Sequence, residues 1–296
     1  MDTHQPYTVP DITIRKNEGL QHAADYTMPQ PLERYTNDDH AVWKLLYERQ
    51  AALLPGRACD EFLQGMVGLG MDLGRVPSFE QLNHCLMSAT GWQVVAVHGL
   101  IPDEIFFEHL AHRRFPVTWW LRERHQIDYL QEPDIFHDLF GHVPLLMNPV
   151  FADYLQAYGA GGMKAKRLGV LPMLARLYWY TVEFGLLQTE QGLRIYGAGI
   201  LSSKSESIYS LESASPNRVG FDLERIMRTR YRIDTFQKTY FVINNFQQLF
   251  NATTPDFTPI YQSLMGLPVL GAGDLAPMDQ VIQCGNREGW SDTEDV

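Results

Sequence analysis

The sequence predicts a mainly α-helical fold with a few short β-strands, organised as one domain. Helix-start signatures recur just ahead of apolar residues at helical spacing. The β-prone runs are short and end at glycine. No internal repeat, low-complexity block or linker interrupts the chain between about 30 and 265. The expected organisation is an N-terminal arm over 1–25, a central domain over 26–265 and a C-terminal extension over 266–296, the last rich in Gly, Pro and acids and expected to attach loosely.

Taken in order, Thr36-Asn37-Asp38-Asp39 opens a helix with Thr36 as cap, acids in the first turn and a body running Ala41-Val42-Trp43-Lys44-Leu45-Leu46-Tyr47. Ser78-Phe79-Glu80-Gln81 repeats the capping signature before Leu82 and Leu86. Residues 92–97 read as a strand ending at Gly99, and 103–112 as a helix after Pro102. Residues 151–158 read as a short helix stopped by Gly159, Gly161 and Gly162. Residues 171–187 form the clearest helix. Residues 236–251 read either as a helix or as a strand turning into one, because Tyr240-Phe241-Val242-Ile243 is β-prone.

Composition narrows the function classes. At 45% hydrophobic and 20% charged residues, the 296-residue chain has the balance of a soluble globular enzyme. A net charge of −11 argues against a nucleic-acid surface and an anionic membrane. Three widely spaced cysteines suit a reducing compartment better than a disulfide framework. The N-terminus lacks the features of a signal peptide, and no run of eighteen apolar residues exists, so a cytoplasmic location is expected.

The chemistry concentrates in Glu132-Pro133-Asp134-Ile135-Phe136-His137-Asp138-Leu139-Phe140-Gly141-His142-Val143-Pro144. Its two histidines are five apart, which on a straight α-helix is about 140° around the axis. Convergence on one ion needs a bend or an end, for which Gly141 supplies flexibility and Pro144 a stop. Forty-one residues after His142, Glu183 lies in the aromatic run Tyr178-Trp179-Tyr180-Thr181-Val182-Glu183-Phe184-Gly185. On a helix its neighbours would be Trp179, Tyr180, Leu186 and Leu187. A carboxylate there needs a cation, and no Lys or Arg lies within a turn. A metal or a distant Arg would serve. Two imidazoles and one carboxylate are the donor set of a facial iron(II) site with open positions. Arg122, after Trp119-Trp120-Leu121, is suited to a bidentate carboxylate partner or lies as a surface Arg along a Trp.

Together with Tyr196-Gly197-Ala198-Gly199-Ile200-Leu201-Ser202-Ser203, these segments resemble the pterin-dependent aromatic amino acid hydroxylases, over about 25–250. The chain, with neither a regulatory domain before nor a heptad helix after this region, is most similar to the bacterial members acting on phenylalanine. The resemblance implies the single catalytic domain of that family, with iron(II) held by His137, His142 and Glu183. It implies that Arg122 clamps the amino acid carboxylate. Pro133, Trp179 and Phe184 would wall the substrate ring, with Gly199 and Ser202 at its polar end. A tetrahydropterin would stack on Phe106 and bond the backbone of Val97, Gly99, Leu100 and Ile101, with Asp138 nearby and Tyr178 lining the iron pocket. The reaction implied is hydroxylation of L-phenylalanine to L-tyrosine with dioxygen, the first step of phenylalanine catabolism, by a monomer with small-molecule partners only.

Two departures bear on substrate contacts. Leu130-Gln131 replaces the Thr-Pro of animal members, and Ile233 falls where phenylalanine-acting members carry an apolar residue and tyrosine-acting ones an Asp. The competing readings are tyrosine or tryptophan hydroxylation, a 2-oxoglutarate dioxygenase, a zinc hydrolase, and a metal-binding structural protein. The dioxygenases use a short His-x-carboxylate spacing on a β-sandwich, and zinc hydrolases an i, i+4 histidine pair; neither pattern is present.

Overall fold

The computed structural model describes residues 11–71, 74–128 and 132–290. The first long helix, Asn37–Leu53, starts where the sequence says it should. Thr36 Oγ1 accepts from the Asp39 N–H at 3.1 Å, and Asp39 Oδ2 accepts from the Thr36 N–H at 2.8 Å. It buries Val42, Trp43, Leu46 and Tyr47. Trp43 meets Phe136 edge-on at 5.5 Å and Tyr47 meets Phe140 at 5.4 Å, while Phe136 and Phe140 stack at 4.8 Å. These aromatics form a floor beneath the His137 segment, and each buried ring contributes about 1.5–3 kcal/mol.

Helix Phe79–Ala89 also begins on cue, with a different cap: the Ser78 side chain caps nothing, and Gln30 Oε1 accepts from the Phe79 N–H at 2.8 Å. Strands β1 (Gln93–Val97) and β2 (Arg114–Thr118) pair in parallel from Gln93↔Arg114 to Val97↔Thr118. A parallel pair needs a crossover, supplied by helix Asp103–Ala111.

The glycine cluster at 159–162 does not stop a helix. Helix Pro149–Arg167 runs through it, capped by Asn148. A Cβ on Gly162 would lie 2.0 Å from the Phe107 ring, and one on Gly159 would lie 2.5 Å from the Ala111 nitrogen. The glycines let this helix lie against Asp103–Ala111. The stop is at Gly169, in the left-handed region at φ +70°, where the N–H groups of Gly169 and Val170 bond Lys166 O and Ala165 O, both at 3.0 Å.

The segment read as one helix over 171–187 divides. An α-helix, Leu171–Tyr178, becomes a wider π-helical turn, Trp179–Glu183, and Leu186 already belongs to strand β3 (Leu186–Thr189). The expectation that Leu186 and Leu187 share a helix face with Glu183 fails for that reason. β3 joins a five-stranded sheet with β4 (Gly192–Ile195), β5 (Asn217–Gly220), β6 (Thr239–Ile243) and β7 (Val281–Gln283), in the order β4-β3-β6-β5-β7. The 236–251 alternative resolves as β6 followed by helix Phe246–Thr253, capped by Asn245.

Both ends of the described chain are tied down. Residues expected to attach loosely supply β7, antiparallel to β5, and Ala272 O accepts from Thr239 Oγ1 at 2.7 Å. At the other end, Asn17 Nδ2 donates to His98 O at 2.7 Å and Asn17 Oδ1 accepts from the Trp119 indole at 2.7 Å. Among the described residues no helix is long and apolar enough to cross a membrane.

The glycine contrast is testable. Gly162→Ala should cost about 2 kcal/mol through overpacking against Phe107. Gly161→Ala, whose Cβ would meet nothing within 4 Å, should be neutral or stabilise by about 0.5–1 kcal/mol. Urea unfolding of the two variants measures the difference; equal midpoints would refute the close-packing account.

Candidate metal centre

The site starts from Asp134, which has no exposed surface. It caps the short helical turn at Ile135, accepting from the His137 N–H at 3.0 Å. The same carboxylate accepts from Arg122 three times, through the backbone N–H (2.9 Å), Nε (2.8 Å) and Nη2 (2.8 Å). Burial pushes the Asp134 carboxyl up, but the Arg122 charge and the bonds from Arg122 and His137 outweigh it and hold it below its ordinary value. Arg122 is therefore neither a surface residue nor uncommitted. Its fork is spent largely on Asp134, its Nη1 donates to Ile127 O at 3.3 Å, and among the described residues one N–H on each terminal nitrogen has no further partner.

From His137 to His142 the chain makes a π-helical turn. In that geometry the backbone bond runs from i to i+5, so residue i+5 lies roughly one turn above residue i. H-x4-H thus does on a π-turn what H-x3-H does on an α-helix. The two Nε2 atoms stand 3.2 Å apart. Gly141 contributes contact rather than flexibility: a Cβ there would lie 2.8 Å from Ala198 O. Pro144 does not end the helix; it sits at the start of a tighter 3₁₀ segment, Val143–Met147.

Glu183 closes the second π-turn. Thr181 Oγ1 donates to Leu177 O at 2.5 Å and pairs with Tyr154 OH at 2.8 Å, so a side chain takes the carbonyl an α-helix would give its own N–H. Glu183 Oε1 lies 3.1 Å from His142 Nε2, and Oε2 lies 3.5 Å from His137 Nε2. Burial raises the Glu183 carboxyl, but His142, His137 and the Gly199 N–H together bring it below its ordinary value. Burial pushes His137 down to about 4 against the pull of Glu183, favouring the neutral imidazole that ligates metals.

Ser202 completes the arrangement. Its hydroxyl donates to Ala198 O at 2.8 Å, so at 2.9 Å from His137 Nδ1 it accepts that ring's N–H. His137 Nε2 is left with its lone pair facing His142 and Glu183. A metal about 2.1 Å from each donor requires donor separations on the order of 3 Å, and the three residues meet it. The donor set fits a divalent metal.

The remaining expected site residues fall into two groups. Trp179 is flanked by Phe184 at 4.8 Å and Tyr231 at 4.4 Å, and Pro133 lies half-buried between Glu132 and Asp134. Gly199 packs on Phe184 and Glu183. In the second group, Tyr178 lies 6.3 Å from the His142 ring and 5.8 Å from Phe106. Asp138 accepts from the Thr118 N–H at 2.7 Å, and Thr118 pairs with Val97 at the end of β1. Burial pushes Asp138 up to about 7. Gly99 is buried, Ile101 half-buried and Leu100 exposed. Ile233 is exposed, and Leu130-Gln131 lies outside the described residues.

Sequence reasoning marks Pro133 and Asp134 as the start of the histidine segment, which the bond from the His137 N–H bears out, but it missed the pairing of Asp134 with Arg122, twelve positions earlier. It also missed the Ser202–His137 bond, for which no local signal exists. Ser202→Ala should weaken metal binding roughly 10- to 100-fold with all three ligands intact. Competition with a chelator measures this, and an unchanged affinity would remove Ser202 from the site.

The chain matches the model of the biopterin-dependent aromatic amino acid hydroxylase family over residues 1–259. It is 71% identical to the phenylalanine-4-hydroxylase of Chromobacterium violaceum over 297 aligned residues, covering 100% of both chains. It is 71% identical to that of Ralstonia nicotianae, covering 92% of this chain and 87% of the relative. A crystal structure of the Chromobacterium violaceum enzyme bound to cobalt superposes with a TM-score of 0.91 at 72% identity, over 93% of this chain and 100% of the other. Its iron- and phenylalanine-bound form does so with 0.89 at 71% identity, over 92% and 100%. Two imidazoles and a carboxylate gathered by paired π-turns, in a fold shared at this level, place the chain among the biopterin-dependent aromatic amino acid hydroxylases.

Proposed function

We propose that this protein hydroxylates L-phenylalanine at the para carbon to give L-tyrosine, consuming dioxygen and a tetrahydropterin, as the first step of phenylalanine catabolism. The observation that carries the reading is the His137, His142 and Glu183 cluster, set between an Arg122–Asp134 pair and an aromatic wall. Relatives named phenylalanine-4-hydroxylase at 71% identity support it. Iron(II) held by the three donors, with the pterin as two-electron donor, supplies the oxygen activation.

The protein's own part is positioning and electrostatics. Asp134 holds the Arg122 fork rigid, and its remaining N–H groups face the amino acid carboxylate. Trp179, Phe184 and Pro133 enclose the substrate ring and exclude water from it. Gly199 and Ser202 act at the polar end mainly by fixing Glu183 and His137. Phe106 stacks on the pterin, and the backbone of Val97, Gly99, Leu100 and Ile101 meets its hydrogen-bonding edge. Asp138 and Tyr178 close that side of the metal. The exposed apolar Ile233 suits phenylalanine over tyrosine.

The catalytic unit is residues 26–265, flanked by 1–25 and 266–296. The enzyme works as a monomer in the cytoplasm, with neither nucleic acid nor membrane as partner; its three free cysteines suit a reducing compartment.

The test is tyrosine formation by Fe(II)-loaded protein given phenylalanine, a tetrahydropterin and oxygen. Product should require all four components and vanish in His137→Ala. Tryptophan or tyrosine turning over in place of phenylalanine would overturn the substrate assignment, and iron-loaded protein inert towards all three would overturn the reaction. Arg122→Lys should raise KM for phenylalanine roughly tenfold or more, because a single ammonium nitrogen lacks the planar fork that grips Asp134 through Nε and Nη2 while presenting further N–H groups to the substrate. An unchanged KM would release Arg122 from the substrate role.

A further inference from the structure

The Trp179 ring stacks on Tyr231 (4.4 Å, 19° between planes) and packs at a tilt against Phe184 (4.8 Å, 35°). Stacking is weakly directional: a ring held only by its faces can slide, or turn within its plane. The directional restraint on Trp179 is its indole N–H, which donates to Gln237 Oε1 at 3.0 Å.

Gln237 cannot offer its other end. Indole is a donor only, so the amide oxygen must face it. The amide nitrogen is spent on Arg232 O at 2.7 Å. With 2% of its surface exposed, Gln237 has no room to swing out. Its backbone N–H donates to Glu206 Oε1 at 3.4 Å, and the same oxygen accepts from Tyr240 OH. Glu206 lies on helix Lys204–Glu212 and Tyr240 on β6. A buried relay therefore runs from the sheet and this helix through Gln237 to the edge of the aromatic wall. Gln237 also ties Trp179 to residues 231–232, whose Tyr231 stacks on the indole.

We infer that Gln237 is a positioning residue for hydroxylation: its amide fixes the in-plane orientation of Trp179, and through Trp179 the substrate ring. This rests on Trp179 forming the substrate wall. Gln237 itself touches neither substrate nor metal in this account. Releasing the indole would let the substrate ring wander from the metal centre, so that the tetrahydropterin's two electrons would reduce dioxygen to hydrogen peroxide with no tyrosine formed.

The experiment compares wild type, Gln237→Leu, Trp179→Phe and the double variant as iron-loaded full-length protein. Trp179→Phe keeps a ring in the stack and removes the N–H. Gln237→Leu should lower kcat/KM for phenylalanine roughly three- to tenfold, the weight of one hydrogen bond. It should also lower the fraction of tetrahydropterin oxidation that yields tyrosine, with iron content unchanged. Trp179→Phe should lower that fraction likewise, and the double variant should lose no more than the larger single loss. Full coupling in either single variant, or losses that multiply in the double, would overturn the inference.

A second readout stands apart from turnover. Among the six indole N–H signals of 15N-tryptophan-labelled protein, the one absent in Trp179→Phe should shift and exchange faster in Gln237→Leu. An unmoved signal overturns the inference even if the enzyme acts on another substrate. A wild type that makes no tyrosine, with the signal shifting as expected, sinks the substrate assignment and leaves the Gln237–Trp179 restraint standing.

Discussion

One buried carboxylate joins the parts of the site. Asp134 accepts four hydrogen bonds, three from Arg122 and one from the N–H of His137. A fully buried ion pair of this kind is not a source of net stability by itself, because desolvating both charges offsets much of their attraction. Its value lies in geometry. The carboxylate fixes a guanidinium and the first residue of a ligand-bearing turn with the same two oxygens. Anything that tilts Asp134 moves the carboxylate-binding fork and the metal together.

The second constraint is helical pitch. Both ligand segments abandon the α-helix where they supply their donors, at His137–His142 and at Trp179–Glu183. A π-turn wastes some packing along its axis, which is why it is uncommon. Here the loss is offset by aromatic packing under the first turn, with Phe136 and Phe140 stacked, and by Thr181 and Tyr154 beside the second. β3 begins three residues after Glu183 and pairs with β6 at Leu186↔Val242, so the sheet anchors one ligand while the aromatic floor anchors the other two.

What was legible in the sequence follows the range of each cause. The Thr36–Asp39 capping box was readable because its partners lie three residues apart. The donor residues were readable because their chemistry is rare in apolar surroundings, and the family likeness fixed which of the open explanations held. The glycines at 159 and 162 were misread as a stop because local reasoning weighs only glycine's poor helix propensity. Their cause is Phe107 and Ala111, on another helix. The true stop, Gly169, carried the ordinary signal and was overlooked beside the larger cluster. Ser202 and Gln237 were opaque for the same reason: their partners, His137 and Trp179, lie 65 and 58 positions away.

The bonds of the first helical turn, Asp11–Lys16, and of Asn17 just after it bear on the order in which the molecule can be made. Thr13 Oγ1 donates to Glu132, 119 positions along the chain, while Asn17 reaches His98 and Trp119, 81 and 102 positions along. These residues are made before any of these partners, and Thr13 finds its own only after the chain has grown beyond Glu132. Contacts closed over such separations form late and slowly. That segment is in effect a latch that shuts late, and until it does the nascent chain carries apolar surface that a chaperone or a neighbouring chain could seize.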